Sequence, residues 1–419
     1  MELFTSKLTS RFFANKFSIL LIFSMVFLPS GSIGSLNVKI ILMMGLFFFV
    51  LLTVFNTKKI NKDILKIFIL LILSIIFVLI NYYTASHESI TSGYAGVEIR
   101  SFVTYFISTS IILVAIYENF LSREKTVKVI IYSSFFYSLI KIFLIFLSVI
   151  GIVSINAIAE MIYNVYGIKP MLLPITDKIS RFQLANDYIV CFVLFFMICD
   201  DKLEKVFPSS KVRKTITVAL VLSMLISFSR YMVILFIIAY AIKVLRVRVF
   251  TLKRLIVVIV LLCIGTGIII NYQVEISDTI SKRFSSDANE SSDGTRVLQI
   301  NCLTKDYEER LFYGKGGFGD YSIQCPGPTE APFSYEVMYA GYLYKFGLIQ
   351  TILFSFLYFS QYSLLVKGSI LSKVNRISTV AAIWWMLVGF FNPYLVSGYG
   401  SIIMVLCLCM AEYNKNRGK

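Results

Sequence analysis

ILKIFILLILSIIFVLINY, residues 64–82, decides what kind of chain this is. It carries a single charge, Lys66, near one end of nineteen residues. An α-helix rises about 1.5 Å per residue, so about 20 apolar residues cross the ~30 Å hydrocarbon layer of a bilayer. A run this apolar is a membrane span. Comparable blocks recur at about 17–30, 38–55, 99–117, 129–152, 184–199, 215–229, 231–245, 255–271, 338–362, 377–394 and 398–412. The whole chain of 419 residues follows suit, with 57 % hydrophobic and 15 % charged residues and a mean hydropathy of +0.78. A soluble chain carries about 25 % charged residues. The expectation is an all-α polytopic membrane protein of about twelve transmembrane helices, with the first block retained as a span rather than cleaved. It divides into helices one to nine (1–271), one large late loop (272–335), and helices ten to twelve with a tail (336–419).

Charge sets the orientation. The net charge is +16, and the basic residues gather in alternate loops. They lie before the first span (Lys7, Arg11, Lys16), near 60, 124, 207, 250 and 371, and in the tail (Lys415, Arg417, Lys419). Alternation of this kind is the positive-inside signature. It reads as membrane orientation and anionic lipid contact, not nucleic-acid binding. Both termini are then cytoplasmic, and the loops at 83–98, 153–183 and 273–335 lie on the other side.

The late loop is the one long polar interval, and it is where the chemistry is expected. It holds Asp293-Gly294-Thr295-Arg296, Cys302, Cys325 and a glycine cluster at Gly314, Gly316, Gly317 and Gly319, and it exits at Glu336. Asp293 reads as the N-cap of a helix from about Thr295 to Leu311, with Val297, Ile300, Leu303, Tyr307 and Leu311 on one apolar face. Arg296 in that first turn would oppose the helix dipole, a conflict that a bound anion removes; the alternative is a plain solvated arginine. Gly314–Gly319 matches GxGxxG. It lacks the strand and helix of a dinucleotide site, so it reads as a tight turn, with amides at a phosphate as the second option. Cys302 and Cys325 are a candidate disulfide if the loop leaves the cytosol. Cys191, Cys199, Cys263, Cys407 and Cys409 lie in apolar spans and read as packing residues.

Two further arginines stand at helix entrances on the same side. Arg181 opens Ser180-Arg181-Phe182-Gln183, and Arg230 closes Ser227-Phe228-Ser229-Arg230 at a tight reversal. Each either snorkels to the interface or binds an anion at the head of a cavity. The planar guanidinium fork suits phosphate. Lys141, midway along the fifth span, either lines the same cavity or pairs within the bundle. Glu336 is either a first-turn acid favoured by the dipole or a general base. The chain has one histidine, His87, and no metal-ligand spacing, Walker A motif or Ser/His/Asp set; no metal and no cofactor are expected.

Several of these pieces together resemble the bacterial Wzy-type O-antigen polymerases and the related O-antigen ligases. They are the Arg181…Asn186 re-entry, the Ser229-Arg230 hairpin, and Gly294…Arg296 in a large late loop. The Gly314–Gly319 turn, Glu336…Gly347 and Asn392-Pro393 complete the set. The resemblance implies a GT-C-like fold and a metal-independent glycosyltransferase of the bacterial inner membrane, with its active site facing the periplasm. It would polymerise undecaprenyl-pyrophosphate-linked repeat units into O-antigen or capsule. Arg181, Arg230 and Arg296 would hold the pyrophosphate, with Arg296 and Glu336 as the catalytic pair. Implied partners are the lipid-linked donor and acceptor glycans, a chain-length regulator and a flippase. Ligases of this superfamily carry a histidine near the position of Glu336, and its absence here favours the polymerase. The alternatives are a ligase passing polymer to lipid A core, or a lipid-linked glycan flippase. A transporter should show internal repeats, and none is visible.

Overall fold

In the computed structural model, each expected span that is described is helical. The structure describes residues 2–28, 32–33, 36–57, 62–166, 170–174, 180–200, 203, 206–207, 209–227, 229–246, 286–308, 310–329, 331–366 and 376–413; the expected ninth span, 255–271, lies outside them. The described helices run α1 (Glu2–Phe27), α2 (Val38–Thr57), α3 (Lys62–Tyr83), α4 (His87–Thr91), α5 (Tyr94–Tyr117), α6 (Arg123–Val149) and α7 (Ile155–Tyr166). They continue as α8 (Asp187–Cys199), α9 (Ser210–Ile226), α10 (Arg230–Arg246), α11 (Ser286–Glu308), α12 (Met338–Leu365), α13 (Arg376–Leu387) and α14 (Gly398–Tyr413). Four of them, α3, α5, α6 and α12, are long and apolar enough to cross a membrane, and α1, α2, α8, α13 and α14 contain shorter apolar stretches.

Burial separates the centre from the lipid face. Every residue of α8, and α14 from Ser401 to Ala411, is buried. A helix apolar on all sides must be surrounded, and these two are: α8 packs against α9 and α10, and α14 against α5, α6 and α13. The outer helices leave apolar side chains exposed, including Ile72, Leu73, Ile76 and Leu79 of α3 and Phe136, Ile140 and Phe143 of α6. In water such faces would be an aggregation hazard; in a bilayer they meet acyl chains.

One buried charge pair fastens the frame. Lys141 does not line a cavity: its Nζ lies 2.8 Å from Asp187 Oδ2 and donates to Ser227 Oγ at 2.7 Å. Asp187 also accepts from Tyr137 Oη (3.0 Å) and the Leu184 amide (2.9 Å). A buried carboxylate so fully satisfied is a joint, here fastening α6, α8 and the end of α9.

Three sequence expectations are corrected. The connection at 153–183 is not plain loop: it holds the amphipathic α7 and an antiparallel hairpin, β3 (Met171–Pro174) with β4 (Ser180–Gln183). A second short hairpin, β1 (Ser32–Ile33) with β2 (Leu36–Asn37), precedes α2. Asp293 is not an N-cap, because α11 begins at Ser286, a full two turns earlier, and ends at Glu308 rather than Leu311. Arg296 therefore lies mid-helix, where the dipole argument no longer applies. The tenth span is not one helix: α12 breaks at Gly347, with φ 69° and ψ 179°.

The glycine turn fills that break. Lys315 and Gly316 donate to the carbonyls of Tyr344 and Lys345, and Leu348 and Ile349 donate to those of Leu311 and Phe312. A Cβ on Gly347 would stand 2.4 Å from the Gly314 nitrogen, in a left-handed conformation that side chains disfavour. Gly294, by contrast, has nothing within 4 Å of its Cβ position. Gly347→Ala should therefore lower the melting temperature of the purified protein in detergent, at a cost of about 2 kcal/mol or more. Gly294→Ala should leave it unchanged or raise it, since alanine gains up to ~1 kcal/mol in a helix. Equal melting of the two variants would mean that the break at Gly347 does not require glycine.

Candidate functional site

The late loop closes over one end of the bundle, held on three sides. Cys302 of α11 and Cys325 are joined in a disulfide, beside a small core of Leu303, Tyr335, Val337 and Tyr344. Asp320 accepts from the Ser86 amide (3.1 Å), the Ser86 hydroxyl, Ser89 Oγ (2.5 Å) and the Gly317 amide (2.6 Å). Glu98 of α5 takes Lys345 Nζ at 2.7 Å and the Gly319 amide at 2.6 Å. The amides of Gly314 to Gly319 are all used within the protein. The glycine cluster is a tight turn built for close packing, and its amides are not free for a phosphate.

Under this loop lies a cavity of about 450 Å³. Ala331, Phe333 and Ser334 form its wall on the loop side; Gln183, Leu184 and Ala185 come from the end of β4, and Tyr394, Ser397 and Tyr399 from the approach to α14. Two cations, Lys39 of α2 and Arg100 of α5, line it. A smaller space of about 90 Å³ adjoins it through Ser101, Phe333 and Ser334 and contains the Glu98–Lys345 pair.

The four residues singled out in the sequence flank this cavity rather than line it. Arg181 donates from Nε to the Ser227 carbonyl at 3.1 Å and from Nη2 to Gln183 Oε1. That places it at the α9–α10 reversal, which ends in Arg230, the half-buried first residue of α10. The next residue, Tyr231, reaches across to the Trp384 carbonyl at 2.7 Å. Arg296 and Glu336 touch: Nε to Oε2 is 3.0 Å, a charge contact without the alignment of a hydrogen bond. Gln299, one turn after Arg296, accepts the Glu336 amide at 3.1 Å and so pins the start of α12 to α11. The Arg296 guanidinium also stands 5.8 Å from the Phe391 ring centre.

Tyr394 links the two groups. It lies within electrostatic reach of both the Glu336 carboxylate and the Arg181 guanidinium. Arg181 and Glu336 therefore both act on one side chain of the cavity wall. Its ring packs between Tyr188, at 5.7 Å, and Tyr399, at 6.4 Å. The arrangement brings Arg181, Glu336 and Arg296 to one rim, with the Arg230 turn at Arg181's back. His87 is exposed on α4.

Sequence reading passed over Lys39, Arg100, Lys345 and Tyr394. The signal for the lysines was present, since each interrupts an apolar block as Lys141 does. Nothing in the sequence marks Tyr394 or Arg100, whose place depends on which helix ends converge. No protein-family model and no curated protein matches this chain.

The disulfide closes 23 residues, a loop for which chain entropy gives about 3 kcal/mol. A membrane-impermeant maleimide should label neither Cys302 nor Cys325 in intact protein and both after reduction, as read by mass shift. Labelling without reduction would exclude the bond.

Proposed function

We propose that this chain is a surface-polysaccharide polymerase of the bacterial inner membrane. It joins undecaprenyl-pyrophosphate-linked repeat units on the periplasmic face, within a frame of about twelve spans whose termini are cytoplasmic. The observation that carries the reading is the Arg296–Glu336 contact at the rim of a cavity that Arg181 also approaches. Support comes further from the disulfide, which belongs in an oxidising compartment, and from the basic residues on the opposite loops.

In this reading a hydroxyl of the acceptor glycan attacks the anomeric carbon of the donor. The bond between that carbon and the pyrophosphate oxygen breaks, and the lipid pyrophosphate leaves with the bonding pair. Arg181, Arg230 and Arg296 hold the leaving group, where charge develops. Glu336 accepts the hydroxyl proton. Arg296 and Glu336 neutralise one another before substrate arrives. A pyrophosphate, with more negative charge than one carboxylate, draws Arg296 to itself and leaves Glu336 able to take a proton. The activation energy is already in the sugar–phosphate bond. A chain-length regulator and a flippase would be its functional partners.

Replacing Arg296 or Arg230 by Lys should cut polymer formation by about 10²-fold, because a point charge cannot supply the bidentate fork. Glu336→Gln should cost about 10²-fold or more in rate. In cells lacking the protein, the glycolipid pattern should show core capped by single repeat units. Bare core with long lipid-linked polymer would make the chain a ligase, and single lipid-linked units trapped on the cytoplasmic face would make it a flippase.

A further inference from the structure

We propose that Lys39 and Arg100 form an anion-binding site in the floor of the 450 Å³ cavity, built for a phosphate or pyrophosphate group. It is separate from the arginines of the rim and does not rest on the polymerase reading.

Lys39 is the starting point. It is 5 % exposed yet lines the cavity. Among the described residues it has no hydrogen bond and no ion pair; its one polar contact is with the Tyr399 ring, 5.6 Å from its ammonium. The other buried lysines of the frame are answered by a carboxylate, Lys141 by Asp187 and Lys345 by Glu98. Buried cations demand such partners. None of the described residues lining this cavity is acidic.

The local field makes an anion more welcome still. Lys39 lies in the first turn of α2, whose start is capped by Asn37 Oδ1 accepting from the Ile40 amide at 3.1 Å. Its ammonium also sits at the start of α14, 3.6 Å from where a Cβ on Gly398 would be. Both helix N-termini carry partial positive charge, each about half a unit. A lysine there is opposed by both dipoles instead of being stabilised by them. Thr104, one turn along α5 from Arg100, approaches the same Gly398 position at 3.8 Å. Arg100 thus adds a second cation from the facing wall; among the described residues it too has no hydrogen bond or ion pair. Two full charges and two helix ends suit an anion carrying at least two negative charges. A carboxylate would leave part of that field uncompensated. Part of the wall, Ile40, Met43, Val97 and Val396, is apolar, so the phosphate can arrive free or at the head of an apolar chain.

The test uses the full chain in detergent and phosphate-free buffer, titrated with farnesyl pyrophosphate and, separately, with inorganic pyrophosphate. Either probe should raise the melting temperature of the wild type. Stabilisation by farnesyl pyrophosphate at tenfold lower concentration would assign the site to a lipid-borne group, and equal potency would assign it to the free anion. Arg100→Gln, at an exposed position, should weaken binding at least tenfold while folding normally. Lys39→Met should likewise weaken binding at least tenfold, and without ligand it should melt at or above the wild type, since it removes an unanswered buried charge. Three results would overturn the proposal: no shift with either probe, an undiminished shift in both variants, or ligand-free Lys39→Met that melts well below the wild type or fails to fold.

Discussion

A helix that breaks inside an apolar frame frees backbone donors and acceptors that hydrocarbon cannot satisfy, and the late loop exists in its present form to satisfy them. The break at Gly347 is answered by residues 311–316, whose backbone takes the place of the missing helical turn. Close approach is possible because Gly314 and Gly347 both adopt positive φ and have no side chains to collide. The same turn rests on the ends of α3 and α5, where Gly317 and Gly319 leave no room for a Cβ. One dovetail therefore fixes the late loop to three helices, and everything the loop carries inherits that placement: the disulfide, the Ser334 wall of the cavity and the exit at Glu336.

Electrostatics follow from the same geometry. Locking the turn buries Asp320 and brings Glu98 within reach of Lys345, and each carboxylate is met by several donors. Asp187 does the same for Lys141 deeper in the frame. The carboxylates that hold the structure together are thus consumed in holding it. What remains around the cavity is an excess of positive charge: Lys39 and Arg100 on its lining, Arg181 and Arg296 at its rim. This local excess agrees in sign with the net charge of +16, but its cause is different. The loop lysines lie between apolar blocks along the chain, whereas the cavity cations face a space walled by the protein.

Much of the frame was legible in the sequence because hydrocarbon imposes a simple rule of length and apolarity. The tight α9–α10 reversal and the Cys302–Cys325 pair were also foreseeable, the first from a single polar break, the second from two cysteines sharing one polar interval. The start of α11 was not, since Asp293 resembles a cap but Ser286-Asp287 precedes it with equal claim. Nor was the break in α12: Gly347 in a strongly apolar block looks like any tolerated helical glycine until its partner, the turn 33 residues earlier at Gly314, is brought against it. The site residues divide in the same way. Arg181, Arg230 and Arg296 could be picked out as charges at helix ends. Arg100 and Tyr394 acquire meaning only from long-range convergence, which local pattern does not encode.

The pairing of Arg296 with Glu336 bears on how such a site would stay silent. Two opposite charges at 3.0 Å, about one fifth and two fifths exposed, are held by water-screened attraction worth little, of order 1 kcal/mol or less. A contact this weak is a rest position and not a scaffold; Gln299 and the Glu336 amide do the structural fastening beside it. It can therefore be exchanged at small cost for a stronger partner. An anion of higher charge offers Arg296 a bidentate contact in a less hydrated cavity, where attraction is larger, and in the proposed reaction this exchange is what turns Glu336 from a counter-ion into a base. The coupling needs no lid and no change of fold. It requires only that the cation and the carboxylate touch until a phosphate is present, which is how α11 and the residues leading into α12 set them.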